Sequence, residues 1–306
     1  MSKKNKIAII GLGAMGAYFA SRFLQTPDMT TVIVADDSRY EVLNKTGMVV
    51  NGEKFHLPLV HPDEKTAPAD LIIVAVKHQH LSEAVGQLKN LVGAQTTIIS
   101  VMNGLDSEQI LASEYGQDKV LYTVSVGIDA VRENGEVRYT NPGKHIFGEA
   151  DNSHISSRVQ AVQSLFDRAG INYETPTDMI RMLWWKFMIN VGMNQSSAVM
   201  RAPYGIFQQS VAARELMEAL MLEVIALAGA AGIDLGKQAL VDWYPVLHSL
   251  SPEGKTSMLQ DIEAGRKSEW EIFGGKVLEL GQRYNIDTPV NGTLVQILKV
   301  LDQSAS

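Results

Sequence analysis

Apolar residues in the first half of the chain come in short unbroken runs. Lys6-Ile7-Ala8-Ile9-Ile10, Thr31-Val32-Ile33-Val34-Ala35, Leu71-Ile72-Ile73-Val74-Ala75-Val76 and Thr97-Ile98-Ile99-Ser100-Val101-Met102 are each of strand length and carry almost no polar alternation. Such runs predict strands covered on both faces, the pattern of a parallel sheet. Val120 to Val126, Val137 to Thr140 and His145 to Phe147 predict further strands, the first two separated by a turn at Asn134-Gly135. Gly47 to Val60, with Asn51-Gly52 between two apolar runs, predicts a small hairpin. Helical patterns fall at Tyr40 to Lys45 and Ser153 to Ala169, and Ile171 to Pro176 closes this half. The second half reads almost entirely as helix. One helix runs from Thr177 or Asp178, both suitable N-caps after Pro176, through Lys186 to about Val199. A second covers Val211 to Gly232, with Gly232 as its C-cap, and a third covers about Pro252 to Tyr284.

Between the first two apolar runs stands Gly11-Leu12-Gly13-Ala14-Met15-Gly16, and the second run ends in Asp36. Strand, glycine turn, helix, strand and acid at this spacing form the dinucleotide fingerprint. Gly11 allows the tight turn, Gly13 lets a pyrophosphate approach the backbone, and Gly16 lets the helix pack on the strand. The amides at that helix start, Leu12, Ala14 and Met15 among them, would face the phosphates. The expected fold is therefore α/β: an N-terminal Rossmann dinucleotide-binding domain over residues 1–176 and an all-α C-terminal substrate and catalytic domain over residues 177–306.

Composition narrows the partners. A net charge of −7 over 306 residues argues against a broad nucleic-acid surface. The absence of cysteine excludes disulfides, thiolate metal sites and a cysteine nucleophile. The start, Met1-Ser2-Lys3-Lys4-Asn5-Lys6, is basic but runs straight into the first strand with no apolar signal region. Leu216 to Ile233 is interrupted by Glu218 and Glu223 and reads as a buried helix rather than a membrane span. Met217 and Met221 are core at helical spacing. A cytoplasmic protein with no membrane partner is expected. His78 and His80, with His56 and His61 nearby, lack a companion carboxylate or helical pair, so no metal site is expected.

Ligands of an open parallel sheet bind beyond the carboxyl ends of its strands. The glycine turn, Asp36, Lys77 and Asn103 all stand at such ends. Taken singly, Lys77 reads equally as a solvated strand-end lysine and Asn103-Gly104 as a plain turn. A second constellation is helical: Lys186, Asn190 and Asn194 are spaced i, i+4, i+8 on a helix otherwise rich in Trp184, Trp185, Phe187, Met188, Ile189, Val191 and Met193. A polar stripe on so apolar a helix is either hydrogen-bonded structure or the wall of a pocket with a proton-donating lysine. Ser257-Met258-Leu259-Gln260-Asp261 precedes Glu269 on the third predicted helix. A carboxylate there either pairs with Lys186 or lies on the surface.

These residues together resemble the ketopantoate reductase (2-dehydropantoate 2-reductase) family over nearly the whole chain. The likeness is carried by the glycine turn, Lys77, Asn103-Gly104, the Trp184-x-Lys186-x3-Asn190-x3-Asn194 run, Pro203-x-Gly205, and Ser257 to Asp261 with Glu269 twelve residues after the serine. The resemblance implies an active site in the cleft between the two domains and NAD(P)H as cofactor. It implies Lys186 as general acid and Glu269 as its partner and a cofactor contact. It implies Lys77 as a cofactor contact, and Asn103, Asn190, Asn194 and Ser257 as holders of a 2-oxo acid and the nicotinamide. The expected reaction is reduction of 2-dehydropantoate to D-pantoate. The helical domain offers a surface for a homodimer.

Three positions depart from the family pattern. Asp36 stands where a basic residue often takes the 2′-phosphate of NADPH, which favours NADH, although Arg39 one turn on offers a replacement charge. Tyr204 and Gly254 stand where asparagines often bind pantoate. Their loss points to the alternative of an NAD-dependent D-2-hydroxyacid dehydrogenase acting on a branched or aromatic 2-oxo acid. The β-hydroxyacid dehydrogenase group shares the glycine start and a lysine–asparagine helix, but lacks the Ser257 to Asp261 stretch with Glu269. A non-catalytic dinucleotide sensor is the remaining alternative, and would need neither the lysine nor the asparagines.

Overall fold

The computed structural model describes residues 4–133 and 135–304. Met1 to Lys3 of the basic start, Asn134 of the expected turn, and residues 305–306 lie outside them. The chain divides into two compact units, Met1–Met102 with Asp106–Met179, and Asn103–Leu105 with Ile180–Ser306. The three residues at Asn103 thus belong to the helical unit although they follow a strand of the first.

The first unit contains the strands β1 Asn5–Ile10, β2 Met29–Val34, β3 Met48–Val50, β4 Glu53–Phe55, β5 Leu59–Val60, β6 Leu71–Val74, β7 Thr97–Ser100, β8 Val120–Ile128, β9 Val131–Glu133, β10 Glu136–Arg138, β11 Pro142–Gly148 and β12 Tyr173–Glu174. Its helices are α1 Ala14–Leu24, α2 Asp37–Thr46, α3 Leu81–Gln87, α4 Ser107–Tyr115 and α5 Ser157–Ala169. Eight strands form one sheet in the order β12-β11-β8-β7-β6-β1-β2-β5. All its pairings are parallel except β8 with β11. The unbroken apolar runs are its centre: Ile7, Ile9, Ile33 and Ile73 pack in one core with α1, Phe147 and Phe166, while Ala8, Ile72, Ile98 and Leu111 pack in the core on the other side. The chain reverses direction around β1, which has β2 on one side and β6 on the other. That is the switch point at which such sheets bind ligands.

Four short strands form a second sheet, β4-β3-β10-β9. The expected hairpin is its first half: Val50 faces Glu53, and Asn51 and Gly52 both have positive φ, 49° and 80°, as a two-residue turn requires. Leu59-Val60 leaves that hairpin and pairs with β2 instead. A strand not anticipated from sequence, β9, pairs antiparallel with β10 around the segment that contains Asn134. The helix expected from Ser153 starts at Ser157, because Ser153 bonds Asp151 through its amide and Ser156 caps the helix by accepting from Val159 N.

The second unit consists of α6 Met179–Ile189, a π-turn over Asn190–Asn194, α7 Gln195–Met200, α8 Tyr204–Gln209, α9 Val211–Ala230, α10 Gln238–Ser249, α11 Ser257–Glu263, α12 Gly274–Tyr284 and α13 Pro289–Ser304. Its core gathers Phe187, Met188, Val191, Met217, Met221, Val224, Phe273 and Leu298. The single helix expected from Pro252 to Tyr284 is not formed. It breaks after α11, where Arg266 N bonds the Asp261 carbonyl, Arg266 Nε bonds the Asp261 carboxylate at 2.7 Å, and Gly265 takes φ 63°. A left-handed glycine with a returning amide is a helix stop. Glu269 therefore stands at the start of a short turn, Trp270–Ile272, and not on a helix. Among the described residues no helix is long and apolar enough to cross a membrane.

Candidate functional site

In the first unit the glycines can be told apart by what a side chain would meet. Gly11 has φ 90°, and a Cβ there would lie 2.5 Å from the Ala75 carbonyl oxygen. At Gly16 it would lie 1.8 Å from the Gly11 oxygen. Both glycines are therefore required by the packing of the turn on β6 and α1. Gly13 is different. Its φ of −69° suits any residue, and a Cβ there would meet nothing within 4 Å. Nothing inside the protein requires a glycine at this position, at the N-terminus of an eleven-residue helix. The open space is what a phosphate on the α1 amides would occupy, so the turn fits a dinucleotide diphosphate.

Asp36 ends the segment after β2 and occupies the capping position of α2 without capping it. Its Oδ2 instead accepts from Gln87 Nε2 at 2.5 Å, which fixes the carboxylate and leaves its other oxygen for a ribose hydroxyl. Sequence reasoning missed Gln87, which has no local signature. Lys77 stands three residues beyond the end of β6, in extended conformation, exposed, before the turn His78–His80. Among the described residues no trio of His, Asp or Glu is placed to hold a metal.

The second unit brings together residues that are far apart in the chain. Asn103 Nδ2 donates to Glu269 Oε2 at 3.4 Å, and Asn190 Nδ2 donates to Asn103 Oδ1 at 3.4 Å. Beside them a Cβ on Gly104, φ 100°, would sit 3.5 Å from the Ile272 side chain, so the Asn103-Gly104 turn packs on the turn that follows Glu269. Asn190 and Asn194 are 3% and 8% exposed. The Asn194 side chain and the Lys186 amine make no hydrogen bond or ion pair among the described residues. Burial lowers the Lys186 pKa from 10.5 to about 8. Asn190 alone of this stripe has a side-chain hydrogen bond among the described residues. Ser257 opens α11 and is exposed, while its neighbour Thr256 caps the helix and donates to Ser197 Oγ at 3.1 Å.

The helix that carries the stripe is wound in two registers. An α-helix advances a residue four positions on by ~40°, so Asn194 would drift from Lys186. The π-turn over Asn190–Asn194 holds one residue more per turn and sets that drift back. Gly192 in this turn allows close packing on α9, since a Cβ there would lie 2.4 Å from Met221 Cγ and 2.9 Å from the Met217 carbonyl oxygen. The two asparagine-lacking positions also meet: Tyr204 N bonds the Gly254 carbonyl at 3.0 Å, and a Cβ on residue 254 would be 3.0 Å from the Tyr204 ring. The tyrosine occupies the room that a side chain at 254 would need.

Comparison with known proteins is consistent with both halves. Residues 7–152 match the model described as "Ketopantoate reductase PanE/ApbA", and residues 178–302 match that of its C-terminal domain. The 2-dehydropantoate 2-reductase of Archaeoglobus fulgidus is 26% identical over 96% of this chain and 97% of its own. The crystal structure of 2-dehydropantoate 2-reductase from Geobacter metallireducens superposes with a TM-score of 0.84 at 27% identity, covering 96% of this chain and 99% of that one. A D-mandelate dehydrogenase, in a ternary structure with NADH and anilino(oxo)acetate, shares the fold with a TM-score of 0.88 at 20% identity, covering 98% and 99%. With its glycine turn, its lysine–asparagine helix and matches along most of its length, this chain belongs to the ketopantoate reductase PanE/ApbA family.

Proposed function

We propose that the protein is an NAD(P)H-dependent 2-oxo acid reductase whose main reaction converts 2-dehydropantoate to D-pantoate, for pantothenate synthesis in the cytoplasm. The observation that carries the reading is the desolvated, unpartnered Lys186 on one helix with Asn190 and Asn194. When bound, NAD(P)H supplies the hydride that reduces C2 of the oxo acid. The Gly11 to Gly16 turn and Lys77 hold the dinucleotide, with Asp36 on the ribose. Asn103, Asn190, Asn194 and Ser257 orient the acid. Lys186 gives its proton to the carbonyl oxygen as the alcohol forms. At a pKa of about 8 it is mostly protonated at pH 7, yet far more willing to release that proton than an ordinary lysine. Glu269, held by Asn103, contacts the cofactor, and its role as the lysine's partner belongs to the ligand-bound enzyme. The Staphylococcus aureus ketopantoate reductase is dimeric, and a homodimer is the assembly proposed here.

A second reading is favoured by Tyr204 lying against Gly254: the protein is a D-2-hydroxyacid dehydrogenase for a less polar oxo acid. A pocket built to hydrogen-bond its substrate rejects an apolar analogue by up to about 10⁴-fold, whereas an apolar pocket discriminates weakly. The test is an initial-rate screen of ketopantoate, 2-oxoisovalerate, 2-oxoisocaproate and phenylglyoxylate with each of NADH and NADPH. Ketopantoate is expected to be turned over, with NADH preferred because Asp36 repels a 2′-phosphate. An apolar oxo acid with the higher kcat/KM establishes the second reading, and Tyr204→Phe shows whether the tyrosine hydroxyl serves the substrate. Binding of NAD(P)H with no reduction of any oxo acid leaves only a dinucleotide sensor. A tenfold or greater preference for NADPH refutes the argument from Asp36.

A further inference from the structure

Arg132 lies on β9, 120 residues along the chain from the glycine turn, yet its Nη1 donates to the Leu12 carbonyl at 2.9 Å. The bond fixes a guanidinium at the turn while its other donors stay uncommitted. The guanidinium is partly desolvated and close enough to Arg39 of α2 to feel its charge, and both effects lower its pKa. Two carboxylates of this region are engaged elsewhere: Asp36 accepts from Gln87, and Glu136 pairs with Arg138. Among the described residues neither Arg132 nor Arg39 has an ion-pair partner. One permanent cation is thus held at the turn before α1, whose amides already favour an anion, and a second, Arg39, is near enough to feel its charge. Like charges so placed repel unless something negative stands between or beside them.

We propose that Arg132, assisted by Arg39, is a binding residue for a phosphate group of the dinucleotide. The inference rests on the reading that this unit binds NAD(P)H. Two phosphates of that ligand present the same oxyanion chemistry: the diphosphate, which Arg132 would reach from its anchor on Leu12, and the 2′-phosphate of NADPH, which Arg39 would reach from beside Asp36. A planar guanidinium already held by one bond loses little freedom when it grips a phosphate with two more.

The test is ligand binding to the intact protein without turnover. Wild type, Arg132→Gln, Arg132→Lys and Arg39→Gln are titrated with NADH, NADPH and ADP-ribose, and with adenosine by competition. Arg132→Gln is expected to weaken NADH, NADPH and ADP-ribose by about 10–100-fold, to flatten the salt dependence of their binding, and to leave adenosine unchanged. Arg132→Lys should restore part of the loss. A loss confined to NADPH identifies the 2′-phosphate as the group held; a loss shared by all three phosphate-bearing ligands identifies the diphosphate. Unchanged binding of every ligand overturns the proposal, and so does an equal loss for adenosine, which marks Arg132 as a support of the turn only. Arg39→Gln changes an exposed side chain, so the charge argument remains testable should Arg132→Gln fold poorly. A wild-type protein that binds no dinucleotide refutes the functional reading itself, whereas normal wild-type binding with indifferent variants refutes only this inference.

Discussion

The glycine turn of the first unit presents backbone to its ligand, and the interrupted helix of the second presents side chains. Each arrangement has its cost in a different place. At the turn, Gly11 and Gly16 are fixed by close packing on Ala75 and on one another, and Gly13 alone is left for the ligand. The backbone of that turn is satisfied with or without a dinucleotide. On the helix the reverse holds: burial disfavours the charged form of Lys186, so the ligand-free protein carries that cost. Binding groups made of backbone add little strain to a fold, while groups that must do proton chemistry in a desolvated place weaken it.

The comparison is broken most directly at Lys186. Lys186→Ala is expected to lower kcat by roughly 10²–10⁴-fold, with NADH affinity unchanged by equilibrium titration. In the wild-type protein, the reduction rate should fall as pH rises past about 8, where the lysine loses its proton. A kcat near normal in Lys186→Ala removes the lysine from the chemistry.

The same residue tests the claim about cost. The Lys186 pKa is about 8 in the fold against 10.5 ordinarily, so between those values the unfolded chain holds more protons. Wild-type stability therefore rises with pH across that window, and the penalty is fully present below it. Lys186→Met should stabilise the protein at pH 7 by up to roughly 3 kcal/mol, and the gain should fade between pH 8 and 10.5. Denaturant unfolding at several pH values checks this; a methionine variant no more stable than wild type shows that the amine is better accommodated than its surroundings indicate.

The glycine turn gives a smaller but cleaner contrast. Gly13→Val should keep the wild-type melting temperature within a few degrees and weaken NADH by about tenfold or more, since the new side chain enters only the ligand's space. Gly16→Val should unfold or fail to accumulate, because its Cβ falls on the Gly11 carbonyl. If both variants lose stability alike, Gly13 is structural and the dinucleotide argument loses its main support.

Legibility from sequence follows the same division. The parallel sheet and its glycine turn were readable because each strand is one contiguous apolar run and the turn is six adjacent residues. The expected helix from Pro252 to Tyr284 failed because helical periodicity continues through Arg266, and only the left-handed Gly265 with the Asp261–Arg266 pair reveals the stop. Helix α10 carries Pro245 in its interior, which masks it as a helix; the proline that opens α13 is a helix-start signal that went unread. Of the candidate site, the Lys186 stripe was visible as spacing. Its π-turn was not, since no local pattern distinguishes i→i+5 from i→i+4 hydrogen bonding. The meeting of Asn103 with Glu269, 166 residues apart, came only with the fold, as did Arg132 and Gln87.

The π-turn also says something about how such a helix can change. The one residue more than an α-helix would hold is stored slack: five residues at this winding cover nearly the rotation that four cover in an α-helix. Removing a single residue from Asn190–Asn194 would let the turn close to ordinary α winding with α6 and α7 still in register, whereas the same deletion in a uniform α-helix would rotate one half against the other by ~100°. Gln195, which bonds Asn291 at 2.9 Å, and Ser197, which accepts from Thr256 at 3.1 Å, would therefore keep the helices they fasten. What such a deletion would lose is the alignment of Asn194 with Lys186, so this segment can change length at the expense of its polar stripe and not of the fold.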